Sequence, residues 1–419
     1  MRTKSLAKHG RAPLSLCLIL LLITLLFLPA GCGDPAKTSA TSPGRPTTTT
    51  GSGTIPSSVP SATSIPSSTE PVVTPTVVIP TTQTPPGTTP STPLQTTSYR
   101  PSTETAAPST ILERWPAAST IPALYTPNRA NPGSSAPLAG MTVVLDAGHG
   151  GKDPGAVASD GMREAALNLP IAVKTRSLLE GMGATVVMTR SEDTYLSIYA
   201  RIAKTGIHIL NRSSGLSGFA DSFDLARYLG DLNTIVSENT GDWDGAMTGR
   251  GLHLGFGVRE EIRRLMDLER QFSDTVFVSI HSNSAAPDTS VRGLQVYYSP
   301  TEYVYGDEVY EITQDRDVYH WGYPVYKAYT YYDDAARAGL ANHVFNSVAA
   351  SIPELGGGGS AGVRAGNYGI LRENNLASIL VECGFMSNAE DLAILRDEAN
   401  QNRIAEGIAN GILAYFSSR

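Results

Sequence analysis

The chain has 419 residues, a formal charge of −7 and three cysteines. Arg2, Lys4, Lys8 and Arg11 are the only charged residues among the first 31, so the remainder carries −11. A chain this acidic is excluded as a nucleic-acid binder and is repelled by an anionic membrane surface.

Residues 1–31 read as an export signal. The four basic residues precede Leu14 to Leu28, an almost unbroken Leu/Ile/Phe run. That run is short for a membrane span and suits the apolar centre of a signal segment. It ends in LPAGC, which resembles the lipobox of bacterial lipoproteins, where the cysteine is acylated and becomes the new N-terminus. Pro29 departs from that pattern, which prefers Leu or Val at its place. The implied product is an exported, cell-envelope lipoprotein held to a membrane through Cys32, with several acyl chains needed for stable attachment. Cys17 would leave with the signal and Cys32 would be blocked, so Cys383 has no partner for a disulfide.

Residues 32–138 are mostly Thr, Pro, Ser and small apolar residues, with Glu70 as the only charge between Arg45 and Arg100. Such a composition cannot bury enough surface to offset the entropy of ordering. It predicts a disordered tether spanning up to about 3 Å per residue.

The composition turns globular over 139–419. Apolar runs without polar alternation occur at TVVLDA (142–147), ATVVMT (184–189), TVFVSI (275–280), GLQVYY (293–298) and SILVEC (378–383). These are strands of a sheet covered on both faces. Helical patterns lie between them at Ile171 to Glu180, Val258 to Phe272 and Ala335 to Ala350. A last one, Ile404, Ile408, Ile412 and Phe416, keeps i, i+4 spacing to the C-terminus. The alternation predicts an α/β domain: a twisted, mostly parallel sheet with helices on both faces.

In such sheets ligands sit beyond the carboxyl ends of the strands. Asp146 and His149 emerge after the first run, His281, Ser282 and Asn283 after TVFVSI, and Glu382 from SILVEC; Glu164 lies between the first two strands. Two imidazoles and a carboxylate are a ligand set for catalytic zinc, and a second carboxylate could move its water's proton. Structural histidines at strand ends are the competing reading, and the residues alone leave both open. His208, His253, His320 and His343 lack the strand-end context and read as surface or loop residues.

VVLDAGHGGKDPGA (143–156), then Glu164, then FVSIHSN, then GILRENNLASILVECGFMSNAEDLAIL resemble, in the same order, the zinc-dependent N-acetylmuramoyl-L-alanine amidases, cell-wall hydrolases of the amidase-3 type. The resemblance covers most of 141–419. It implies that His149, Glu164 and His281 hold Zn²⁺ and that Glu382 is the catalytic carboxylate. The implied substrate is peptidoglycan, cut between the lactyl group of N-acetylmuramic acid and L-alanine. Asn283 and Arg372 become candidate substrate contacts, and a protein activator stays unknown. A catalytically inactive wall-binding module and a zinc peptidase acting on wall peptides are the alternatives. Pro170 falls where the family's first helix is usually uninterrupted, so that helix is expected to begin near Asn168, with Glu164 in the preceding turn. Two stretches read as insertions, about 205–273 and the Tyr-rich 301–332. Their roles stay open between structure, substrate groove and autoinhibition.

Overall fold

The computed structural model describes residues 112–241, 256–314 and 325–419. The signal segment, Cys32 and the tether up to residue 111 lie outside the described residues. Among those described, no helix is long and apolar enough to cross a membrane.

In chain order the elements begin with β1 (Thr142–Ala147), α1 (Glu164–Gly181), β2 (Thr185–Met188), α2 (Ile198–Ser213), α3 (Phe219–Ser222), α4 (Leu225–Glu238), α5 (Glu260–Glu269) and β3 (Thr275–Asn283). There follow β4 (Gln295–Tyr298), α6 (Thr301–Gln314), α7 (Asp334–Ser351), α8 (Pro353–Gly356), β5 (Gly362–Ala365), α9 (Gly369–Arg372), β6 (Ala377–Phe385), α10 (Ala389–Arg396) and α11 (Glu398–Ser417). The six strands form one sheet in the order β2-β1-β3-β6-β4-β5. All neighbours are parallel except β4 and β6. All five expected strands are present. β5, with the sequence GVRA, pairs only with β4 at the sheet edge, and four residues with an exposed arginine give no periodic signal.

Alternate strand residues serve two cores, as a pleated sheet requires. Val143, Leu145, Val278, Ile280, Ile379 and Val381 pack with Ile171, Leu340, Val344, Ile408 and Ile412 of α1, α7 and α11. Val144, Phe277 and Leu380 face the other way, onto Ile202 and Ile209 of α2, Leu232 of α4 and Ile262, Leu265 and Met266 of α5. The predicted two-sided cover is therefore present.

Three expectations are corrected. First, α1 starts at Glu164, not near Asn168, and holds Pro170 in its interior. The carbonyl that proline deprives of a donor belongs to Ala166, which is exposed, so water can satisfy it. Second, the stretch read as an insertion from about 205 begins inside a helix. Residues 205–213 complete α2, and α4 and α5 bury their apolar faces in the second core. The stretch 301–332 carries α6, and beyond it Val325 and Lys327 bridge Phe256 and Val258, so the two stretches pack together. Trp321 lies outside the described residues.

Third, residues 112–138 do not behave as tether. Leu112 and Ile121 are buried, and Tyr125 stacks on Phe272 with ring centroids 4.1 Å apart. Trp115 Nε1 donates to the Val258 carbonyl (3.0 Å), the Thr120 N–H to Asp267 (2.8 Å) and the Leu124 N–H to Gln271 (2.7 Å). Arg114 forks onto Glu302 of α6 with two contacts of 2.7 Å. This strap closes the second core, so its removal should cost several kcal/mol, at roughly 1.5–3 kcal/mol per buried large apolar side chain. A chain starting at residue 139 should melt well below one starting at 112 and should bind a hydrophobic dye. Equal melting temperatures by calorimetry would show that the strap is only laid on the surface.

Candidate metal centre

The site begins with a strained turn. His149 has φ 59°, a left-handed conformation uncommon for a residue with a side chain, and Gly150 and Gly151 follow with positive φ. The backbone is held there by side chains. Arg190 donates to the carbonyls of Ala147 (2.8 Å) and Gly148 (2.8 Å), and Arg201 to those of Ala147 (2.7 Å) and His149 (2.8 Å). Arg201 also pairs with Asp146 at 2.6 Å inside the protein. Burial opposes the charge of Asp146, but Arg201, then Thr189 and Ser279, outweigh it and bring its pKa down to about 2.

Glu164 stands at the first position of α1, where the helix N-terminus favours an anion. Its Oε2 accepts from the Ala156 N–H (2.9 Å), and its Oε1 from Asn168 Nδ2 (3.1 Å) and the Ser282 N–H (3.2 Å). His149 Nε2 lies 3.1 Å from Oε2 and His281 Nδ1 lies 2.9 Å from Oε1. One ligand atom of each of His149, Glu164 and His281 lies within 4.8 Å of the others. A Cβ on Gly148 would meet the His281 ring at 2.3 Å, and one on Gly155 would meet Glu164 Oε2 at 2.5 Å, so this convergence depends on both glycines.

The ring of His149 is fixed from its other side, Nδ1 lying 2.8 Å from Asp153 Oδ2. An outer carboxylate that orients an imidazole is a recurrent feature of metal sites. Burial opposes a proton on His149, but Asp153 and Glu164 lift its pKa to about 10. Burial likewise opposes charge on Glu164, yet the two imidazoles hold its carboxyl well below the usual range. The cluster therefore draws positive charge, proton or metal cation, to one spot, and its two imidazoles and carboxylate suit zinc chemically.

Glu382 stands beside it. Cross-strand register pairs His281 with Glu382 on one side and Glu382 with Gln295 on the other. Its Oε2 is buried with no hydrogen-bond partner among the described residues. Burial, then the charge of Glu164, holds its carboxyl well above the ordinary range; a cation at the triad would act in the opposite direction.

The four chemistry-bearing residues expected from the sequence thus converge. Asn283 Nδ2 donates to Gln295 (3.2 Å), which pairs with Glu382 in the sheet, and its Oδ1 accepts from the Ser284 N–H (2.7 Å). Arg372 is occupied by Glu373 (2.9 Å) and Asn367 (2.9 Å), with Glu308 at 3.7 Å. His208 and His343 sit on helices α2 and α7 rather than in loops, and the buried His208 Nε2 has no hydrogen-bond partner among the described residues. His253 and His320 lie outside the described residues. Sequence reading missed Asp153, Asn168, Arg190 and Arg201. Arg201 left a signal: it shares the buried stripe of α2 with Thr205, Ile209 and Ser213, where a lone charge needs a partner.

The family model described as N-acetylmuramoyl-L-alanine amidase matches residues 143–210 and 253–414, more than half of the chain. The chain belongs to that family. N-acetylmuramoyl-L-alanine amidase AmiC of Neisseria meningitidis serogroup B is 26% identical over 278 residues, 66% of this chain and 53% of that protein. The "Probable cell wall amidase LytH" of Staphylococcus aureus is 23% identical over 284 residues, 67% of this chain and 60% of that protein. The chain thus spans little more than half the length of these curated relatives. Among solved structures, the amidase AmiC2 of Nostoc punctiforme has 26% identity and a TM-score of 0.39, covering 66% of this chain and 96% of its own. The amidase match breaks between 210 and 253, around α3 and α4, and runs on through 301–332.

Two outcomes follow from this geometry. Asp146→Asn should lower stability by about 2–4 kcal/mol at pH 7, because it leaves Arg201 buried without its charge partner. The carboxyl's pKa is lower folded than unfolded, so its contribution is complete above the unfolded value near 4 and is lost as pH falls through about 2. Urea unfolding should show the mutant and wild type converging between pH 4 and pH 2; a gap independent of pH would sink this account. Separately, His149→Ala or His281→Ala should reduce bound zinc, measured by mass spectrometry of the intact protein, from one ion to none at micromolar zinc.

Proposed function

We propose that the chain is a zinc-dependent peptidoglycan amidase that hydrolyses the amide between the lactyl group of N-acetylmuramic acid and the L-alanine of the stem peptide. The observation that carries this reading is the buried, unpaired Oε2 of Glu382 beside a convergent His149, Glu164 and His281. A buried carboxylate atom without a hydrogen bond is costly unless a ligand or a proton in transit uses it.

In this reading His149, Glu164 and His281 hold the ion. Zinc, when bound, supplies Lewis acidity to a carbonyl and makes water a nucleophile near neutral pH. Asp153 and Asn168 keep the imidazole of His149 and the carboxylate of Glu164 oriented. Glu382 takes the proton of the attacking water and delivers it to the alanine nitrogen as the C–N bond breaks.

The same reading places the protein outside the cytoplasm, joined to a membrane through an acylated Cys32 and reaching the wall on the Thr/Pro/Ser-rich segment. The LPAGC sequence supports the anchor, and the likeness to the staphylococcal probable cell wall amidase supports the wall.

Purified peptidoglycan incubated with the mature chain should release stem peptides that begin at L-alanine, identified by mass spectrometry. Glu382→Gln should slow release at least about 100-fold, the lower range for loss of a general acid–base. A chelator should abolish release and added zinc restore it. Fragments cut within the stem would instead establish a peptidase. A folded, zinc-loaded chain that binds wall and releases nothing would be an inactive binding module.

A further inference from the structure

The row of side chains at the top of the sheet does not end at Glu382. Register places His281, Glu382 and Gln295 side by side on one face. Tyr297, two residues beyond Gln295, lies on that same face. Gln295 is buried and fully used. Its Oε1 accepts from the Tyr297 hydroxyl (2.7 Å) and from Asn283 Nδ2 (3.2 Å), and its Nε2 donates to the Ser360 carbonyl (2.9 Å) and hydroxyl (3.0 Å). It fixes the ring of Tyr297 from the side nearer Glu382.

Tyr297 meets Tyr368 edge-on, with ring centroids 5.0 Å apart and planes at 67°. Gly366 makes room for this pair: a Cβ there would lie 2.4 Å from the Tyr368 ring and 3.3 Å from that of Tyr297. Burial, and after it the charges of neighbours that include Glu382 and Tyr303, pushes both hydroxyls up, so both stay neutral. Tyr303, on the first turn of α6, is 46% exposed, and Ile198, which a Cβ on Gly369 would meet at 3.9 Å, is 44% exposed. The result is a half-buried aromatic pair, Tyr297 and Tyr368, joined through Gln295 to the neighbourhood of Glu382, with the exposed Tyr303 five residues beyond the end of β4.

The two aromatic rings themselves carry no charge. Of the nearby cations, Arg372 is paired with Glu373 and Glu308, and Arg364 is exposed at the edge strand, where it donates to the Ser360 carbonyl at 2.9 Å. A stem peptide carries carboxylates and would be met by free cations. A pyranose ring is uncharged, and its C–H faces lie flat on aromatic rings, which combine a large apolar face with a polar tip.

We infer that Tyr297, Tyr368 and Tyr303 form the subsite for the saccharide on the acyl side of the scissile amide, and so determine preference for glycan-linked substrate. The inference rests on the amidase reading. Two measurements test it, one of which needs no turnover. Saturation-transfer NMR with the peptide-free disaccharide of N-acetylglucosamine and N-acetylmuramic acid should show ring protons in contact with wild type. Affinity should fall about tenfold in Tyr303→Ala, whose exposed site spares the fold, and in Tyr368→Leu. In kinetics, both variants should raise KM about tenfold for a disaccharide-linked peptide, with kcat within about twofold. They should leave hydrolysis of a D-lactyl peptide without sugar unchanged.

Equal losses on both substrates would make the tyrosines merely structural and overturn the subsite. So would an absence of disaccharide binding to wild type, or unchanged binding in both variants. If wild type binds the disaccharide through these residues and cleaves neither substrate, the subsite stands and the amidase reading fails.

Discussion

The site depends on two buried arginines that take the carbonyls of a turn with no strand to pair with. Ala147, Gly148 and His149 point three successive carbonyls into the protein at the end of β1, and Arg190 and Arg201 bind all of them. Buried guanidinium is expensive, and Asp146 is the carboxylate that pairs with one of the two. Burial and then the neighbouring charge of Arg201 lower the pKa of Arg190 to about 10, which still leaves it charged at neutral pH. A hydrophobic pair of similar volume would pack more cheaply but could not hold His149 at positive φ.

The elements then bring their own groups to that fixed point. α1 delivers Glu164 at its N-terminus, β3 delivers His281 at its carboxyl end, and β6 sets Glu382 next to His281 by register alone. Glu382 feels the charge of Glu164, yet their environments drive the two apart. Glu164 has two imidazoles and three hydrogen-bond donors, and Glu382 has an unpaired oxygen. Carboxyls split in this way can serve one as ligand and one as proton carrier.

The sheet was legible because its strands are apolar on both faces, and the four chemistry-bearing residues because each leaves a strand or turn among residues of another character. What stayed hidden was mostly polar atoms bonded to backbone. Arg190 and Asn168 hold carbonyls, and no residue-type pattern announces a carbonyl as a partner. The start of α1 was misplaced because a proline at an interior position normally breaks a helix; exposure of Ala166 removes most of that cost.

The strap was hidden for a different reason. Its composition differs little from the tether before it, and average composition cannot show that a few residues at separate points are buried. Trp115, Ile121 and Tyr125 reach the second core or its rim, and Leu112 a small cluster with Ile312 and Ala328, from irregular backbone whose N–H groups at Thr120, Leu124 and Asn128 are satisfied by Asp267, Gln271 and Asp274. Irregular chain can pack only where side chains supply the hydrogen bonds that secondary structure would have supplied. Asp267 and Gln271 lie on or just after α5, inside the stretch 205–273, and Asp274 directly follows it. Segment and acceptors therefore had to be recognised together, and neither carries a periodic pattern that names the other. Through Arg114 and Glu302 the same strap fixes α6, which carries Tyr303, so the edge of the folded domain and the exposed end of the proposed subsite are held by one set of contacts.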